Sequence, residues 1–200
     1  MHEAIHHLRR SDPVLSAIIK RVGAYEIRFR EPNFESLVKA IVYQQLSGKV
    51  AAVIYDRVLA AVKGQMTPAE VLKLRPARMR KLGLSKQKTE YIRDLARQTR
   101  DRRVAFEELA VLPDQEVIER LTQVKGIGVW TVHMFLIFAL RRNDVLPTGD
   151  LGIRNAIRKA YGLEELPTPG EIEAMAVRWR PYCSVASWYL WRSLEGDANL

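Results

Sequence analysis

The sequence predicts an all-α protein, and three observations carry that prediction. Apolar residues recur at three- and four-residue spacing through most of the chain, as in Phe34, Leu37, Val38, Ile41 and Val42. The breaks between these runs are those of helix ends, with a capping residue or proline before and often a glycine after. The one stretch that alternates like a strand, Tyr25 to Phe29, is too short and solitary to support a sheet. The 200 residues are enough for one compact unit with a real core, of one or two lobes.

Taken in order, His2, His6 and His7 lie in a polar N-terminal segment. Their spacing invites a metal reading, but no third or fourth ligand is near, so a solvated or disordered start is expected. Asp12-Pro13 then caps a helix through Val14, Leu15, Ile18, Ile19 and Val22 that stops at Gly23. Tyr25 to Phe29 is read as an extended linker. Asn33 caps the next helix, which runs into Tyr43-Gln44-Gln45-Leu46-Ser47-Gly48, and another helix follows from Lys49 to about Val62. Thr67-Pro68 and Pro76 each begin a short helix. Leu82-Gly83-Leu84-Ser85 turns into a longer one holding Tyr91, Ile92, Leu95 and Ala96, with Ser85 as its cap. Phe106 to Leu112 and Pro113 to Val124 lead to a Gly-Ile-Gly turn. Leu151 to Tyr161, Pro169 to Trp179 and Pro181 to Leu194 complete roughly ten helices.

Composition narrows the partners. Lys and Arg number 32 against 23 Asp and Glu, a net charge of +9 with a pI near 9.8. Such an excess suits a polyanion, nucleic acid ahead of an acidic membrane or protein. Lys86, Lys88, Arg93, Arg97, Arg100, Arg102 and Arg103 crowd the helix after Ser85. That run fits phosphate contact and a solvated basic face equally well. Cys183 is the single cysteine, which excludes a disulfide framework and a cysteine-rich metal site. The N-terminus has no apolar signal segment, and Phe135 to Leu140 is far short of a membrane span. A soluble intracellular protein is expected.

The chain is organised around Leu121 to Asp150. Val117, Ile118 and Leu121 lead into Val124-Lys125-Gly126-Ile127-Gly128, and Val129 to Leu140 then forms a helix apolar on nearly every side. Two glycines one residue apart permit a tight turn with positive φ, so the amides after Gly126 can face an anion at the next helix's N-terminus. Twenty-two residues beyond Gly128, Pro147-Thr148-Gly149 places Asp150 at the N-cap of another helix. An aspartate there most often only caps.

Together, Leu121, Val124 to Gly128 and the Pro147-Thr148-Gly149-Asp150 turn resemble the helix–hairpin–helix DNA glycosylase superfamily. The 3-methyladenine DNA glycosylase II branch is the nearest in pattern. The resemblance runs from about Asp12 to Leu194. It implies a two-lobed helical body, residues 33–140 against 1–32 with 141–200, and a DNA-binding cleft between the lobes. Relatives of this branch often carry an extra N-terminal αβ domain, for which no room is expected here.

The activity that follows is a monofunctional DNA N-glycosylase. It would flip alkylated purines of the 3-methyladenine and 7-methylguanine type from double-stranded DNA and hydrolyse the glycosidic bond, opening base-excision repair. Asp150 would be the catalytic carboxylate, stabilising the positive charge that develops on the sugar as the base departs. Bifunctional relatives carry a lysine nucleophile at the second position after the hairpin's last glycine. Here that position is Trp130, so no lyase step is expected.

Trp130 and Trp188 would stack on the extruded, positively charged base, with Met134 where a third aromatic can stand. The gap left in the duplex would be filled by Gln44 or Gln45, with Gln45 the better placed. Lys125, Gly126, Gly128, Ser85, Lys86 and Lys88 would hold the DNA backbone. Main-chain carbonyls of Thr122, Val124 and Ile127 would hold a Na⁺ or K⁺ at the hairpin. No other cofactor is expected, and Cys183 alone cannot hold an iron–sulfur cluster. The protein would act as a monomer.

Three alternatives stay open. The lesion could be a deaminated or oxidised base, the hairpin could belong to a non-catalytic DNA-binding module, or the basic surface could serve a structural role.

Overall fold

Local capping decides where several helices begin. Asp12 Oδ1 accepts from the amides of Val14 and Leu15, Asn33 Oδ1 from Ser36, Thr67 Oγ1 from Glu70, and Ser85 Oγ from Lys88. Thr168 and Glu171 form a reciprocal capping box. Each bond satisfies an amide that the first helical turn leaves without a partner.

The computed structural model describes residues 1–195, which hold thirteen α-helices and one turn of 3-10 helix. In order these are α1 (His2–Ser11), α2 (Pro13–Val22), α3 (Phe34–Tyr43), α4 (Gly48–Ala61), α5 (Pro68–Lys73), α6 (Pro76–Lys81) and α7 (Lys86–Arg100). They continue with α8 (Phe106–Leu109), α9 (Asp114–Thr122), α10 (Val129–Phe138), α11 (Leu151–Tyr161), α12 (Pro169–Ala176), the 3-10 turn (Val177–Trp179) and α13 (Cys183–Glu195). No strand occurs among the described residues, and residues 23 to 29 form neither helix nor strand. None of the described helices is long and apolar enough to cross a membrane.

Two expectations need correction. The N-terminal segment is a helix rather than a solvated start. Ala4 and Leu8, one turn apart, are buried, and Arg9 and Arg10 lie in the last turn. Its polar face masks an apolar stripe of few residues. The helix expected over Pro169 to Trp179 stops at Ala176 and tightens into the 3-10 turn.

The chain divides into two compact units. One comprises residues 1–29 and the described residues from Leu136 on. In it α13 packs on α11 and α2, and α1 packs on α2 and the 3-10 turn. Leu8, Leu15, Ile157, Trp179, Tyr189 and Leu190 are among its fully buried side chains. Asp12, itself fully buried, ties this core together. Its Oδ1 caps α2, while Oδ2 accepts from the Tyr161 hydroxyl at 2.5 Å and from Trp179 Nε1 at 2.8 Å. Burial and that carboxylate push the Tyr161 pKa well up. Cys183 is buried here, and burial raises its thiol pKa, which makes the sulfur unreactive.

The second unit, Arg30–Phe135, is built on α7. Helices α3, α5 and α6 all pack against it. Ile92, Leu95 and Ala96 are fully buried, and Arg93 Nη1 donates to Leu72 and Leu74 carbonyls at the end of α5.

Candidate functional site

The carboxylate comes from the first unit. Leu146 to Gly149 turns tightly, with Thr148 N donating to Leu146 O and Asp150 N to Pro147 O. Asp150 then caps α11, its Oδ1 accepting from Ile153 N at 2.8 Å. The same oxygen accepts from Trp191 Nε1 at 2.9 Å, and the Trp191 ring stacks on Phe138 at 5.9 Å between centroids. Two donors on one oxygen fix the plane of the carboxylate. The residue is 8% exposed. The fit is tight, because a Cβ on Gly152 would lie 3.0 Å from Asp150 Oδ1 and 3.2 Å from Trp191 Cδ1.

Trp188 sits elsewhere in this unit. It is 7% exposed and packs edge-on against Tyr25 and Tyr189, with the Arg192 guanidinium over its ring. That leaves little ring face for a stacked base. The indole that reaches the carboxylate is Trp191, three residues further along α13. Sequence reasoning missed it because three aromatics, Trp188, Tyr189 and Trp191, share that helix and spacing does not single one out.

The hairpin belongs to the second unit. Val124 and Ile127 are buried, with Val124 N donating to Leu121 O and Ile127 N to Val124 O. Gly126 has φ +79°, and a Cβ there would lie 2.1 Å from the Tyr91 ring. Both backbone and packing therefore demand glycine. Gly128 differs from expectation, for its φ is not positive and its missing Cβ faces open space. It sits at the head of α10, where Val132 N donates to its carbonyl. Open space beside a helix N-terminus lets a phosphate approach the backbone.

Trp130, in the first turn of α10, is 49% exposed, whereas Thr131, Val132, Phe135, Leu136 and Ile137 are buried. Met134 lies one turn beyond Trp130 on the same face and is half-buried. Lys125 and Lys86 are exposed. Ser85 caps α7 through its oxygen lone pair.

Lys88 is not turned outward. Its Nζ donates to Val42 O at 2.7 Å and Gln44 O at 2.6 Å, and burial lowers its pKa. With two of three donors on the chain, the ammonium is a clamp on the loop rather than the phosphate contact expected of it. Gln44 also turns inward, donating from Nε2 to Gly126 O at 2.9 Å. Gln45 is exposed at the loop apex with φ +55°, and Leu46 follows at 38% exposed.

For a cation, the hairpin offers hard, neutral main-chain oxygens, which suit a monovalent ion. One lone pair of Val124 O is already engaged by Ile127 N. Among the described residues, no group of three or more His, Cys, Asp and Glu could hold a metal.

Known proteins place this arrangement. Residues 38–181 match the HhH-GPD superfamily base excision DNA repair protein family, a span holding the loop, the hairpin and Asp150. DNA-3-methyladenine glycosylase 1 of Schizosaccharomyces pombe is 37% identical over 194 residues, 94% of this chain and 85% of that protein. The solved 3-methyladenine DNA glycosylase from that yeast, in complex with abasic DNA, superposes with a TM-score of 0.84 at 37% identity, covering 94% of this chain and 95% of that one. A DNA-3-methyladenine glycosidase from Bacillus halodurans gives 0.86 at 37% identity, covering 94% and 87%. A tight glycine turn, a half-exposed Trp130 and a helix-capping aspartate thus fall within one family span, and the chain belongs to the HhH-GPD superfamily of base excision DNA repair proteins.

Proposed function

We propose that this protein is a monofunctional DNA N-glycosylase that releases alkylated purines from double-stranded DNA and leaves an abasic site. The observation that carries the reading is the Asp150 carboxylate, nearly buried and held on Oδ1 by Ile153 N and Trp191 Nε1. Breaking the glycosidic bond builds positive charge on the deoxyribose, and a fixed carboxylate stabilises that charge without reorganising. An alkylated purine already carries positive charge, which weakens the bond and draws the base to an aromatic face.

Trp130 supplies that face in this reading, and Trp191 takes the place first expected for Trp188. Gln45, at the apex of its loop, fills the vacated position in the duplex, and Gly126, Gly128 and Lys125 meet the phosphates. The carbonyls of Thr122, Val124 and Ile127 would hold a Na⁺ or K⁺, which would supply positive charge for the DNA backbone. Position 130 offers no amine, so no Schiff base forms and the strand stays intact. The protein works as a monomer on chromosomal DNA inside the cell. The relatives named for 3-methyladenine support the lesion class.

The test is base release from methylated duplex, with strands examined before and after alkali. Wild-type protein should release methylpurines and give breaks only after alkali. Asp150→Asn should lose about 10²–10³ in rate while still binding abasic DNA. Breaks without alkali, or full turnover by Asp150→Asn, would overturn the reading.

A further inference from the structure

The second unit contains a device that neither the hairpin nor the carboxylate requires. One face of α7 touches both segments that would meet DNA. Lys88, Tyr91, Asp94 and Gln98 are spaced by three, three and four residues, so they line one side of the helix. At one end Lys88 Nζ holds the carbonyls of Val42 and Gln44, where α3 ends and the Gln44-Gln45 loop begins. In the middle the Tyr91 ring lies where a Cβ of Gly126 would be. Beyond it Asp94 Oδ2 accepts from Lys125 N at 3.1 Å and from Gln98 Nε2 at 2.9 Å. Gln98 Nε2 also reaches Gln123 O at 3.1 Å. A direct bond closes the frame, Gln44 Nε2 to Gly126 O at 2.9 Å.

We infer that Lys88 and Asp94 are positioning residues: α7 is a rigid strut that fixes the duplex-entering loop against the phosphate-gripping hairpin, so that force on the loop drives base extrusion. The inference rests on the proposed glycosylase reading. The ten helical steps from Lys88 to Gln98 span about 15 Å with no hinge. The strut is anchored on its other sides by the buried Ile92, Leu95 and Ala96 and by Arg93 on the α5 carbonyls. A loop pressed into a duplex is pushed back by the stacked bases. If it could slide relative to the hairpin, that push would move the loop rather than the base. Bonds from both segments to one helix remove that slack. Lys88 provides charge-assisted donors and Asp94 a charge-assisted acceptor, the stronger kind of tie.

Extrusion costs most for a paired base and least for an unpaired one. A strut defect therefore slows flipping of a paired lesion and spares one opposite an abasic analogue, whereas general loosening of the fold slows both. Extrusion is read by stopped-flow fluorescence of a 2-aminopurine stacked beside the lesion, which brightens whether or not the bond is cut. Lys88→Met and Asp94→Ala should slow extrusion of paired 7-methylguanine about tenfold and of the unpaired lesion less than about twofold. Asp94→Asn, which keeps an acceptor for Lys125 N–H, should recover most of the rate.

The salt dependence of duplex binding separates the roles of Lys88. A strut leaves the slope of log affinity against log salt unchanged in Lys88→Met, whereas a phosphate contact lowers it by about one. Wild-type extrusion in both variants, equal loss on both substrates, or a lowered slope overturns the strut. Extrusion without base release by wild-type protein would overturn the glycosylase reading and leave the strut standing.

Discussion

Trp191 donates its indole N–H to the Oδ1 of Asp150 at 2.9 Å, across forty-one residues of chain. The bond joins the head of α11 to the face of α13, and with the Ile153 amide it determines how the carboxylate is presented. An oxygen held by two donors cannot rotate away without breaking both. The acidic group is therefore set before any DNA arrives, as the electrostatic role proposed for it requires.

Removing that donor while keeping an aromatic ring is the direct test. Trp191→Phe retains a ring to stack on Phe138 but loses a hydrogen bond to a charged acceptor, worth about 1.5–3 kcal/mol. Single-turnover base release should fall roughly tenfold or more, and the melting temperature should drop by several degrees. A wild-type rate would mean that the indole does not orient Asp150 for the reaction.

Gly152 should matter to the rate although it carries no chemistry. An added methyl 3.0 Å from Asp150 Oδ1 must displace the carboxylate or the indole. Gly152→Ala is expected to lower the maximal rate about tenfold and leave affinity for abasic DNA near wild type. Parallel loss of affinity would instead indicate a rearranged α11.

The two hairpin glycines should fail in different ways. Gly126→Ala puts a side chain at φ +79° and onto the Tyr91 ring, so it should cost about 1–3 kcal/mol of stability, seen by urea unfolding. At Gly128 a Cβ meets open space, so Gly128→Ala should fold normally and bind duplex DNA more weakly, as titration by fluorescence anisotropy would show. Equal behaviour of the two variants would refute the division of labour.

Asp12 concerns stability alone. Asp12→Ala strips the cap of α2 and the partners of Tyr161 and the fully buried Trp179. An unfolding cost of about 3 kcal/mol or more is expected. A loss below about 1 kcal/mol would show that the surrounding core closes over the site.

Asp94 sets a pH dependence. Burial alone would raise its pKa, but the Lys125 amide, Gln98 and Arg97 outweigh that and hold it below the ordinary 3.8. Between the two values the unfolded chain takes up a proton and the folded chain does not. Its contribution is thus complete above 3.8 and lost as the pH falls through the lowered value. Urea unfolding of wild type against Asp94→Asn should show a gap that narrows below about pH 4. A constant gap down to pH 3 would mean that Asp94 carries no such contribution.

The sequence by itself determined the helical class, most helix starts and the place of Asp150 at the head of α11. Caps are contacts between residues two or three apart, so Asp12, Asn33, Thr67, Ser85 and Thr168 act before any tertiary packing. The hairpin is legible for the same reason, since Gly126 answers a torsion local to its turn. Only the tertiary structure decided which indole meets Asp150, that Lys88 faces inward, that Gln44 is tied down while Gln45 is exposed, and that α1 folds. Those outcomes rest on pairs such as Lys88 with Val42, Asp94 with Lys125 and Trp191 with Asp150, far apart in the chain. No periodicity records them, because they depend on which helix faces pack together and not on the residues beside each partner.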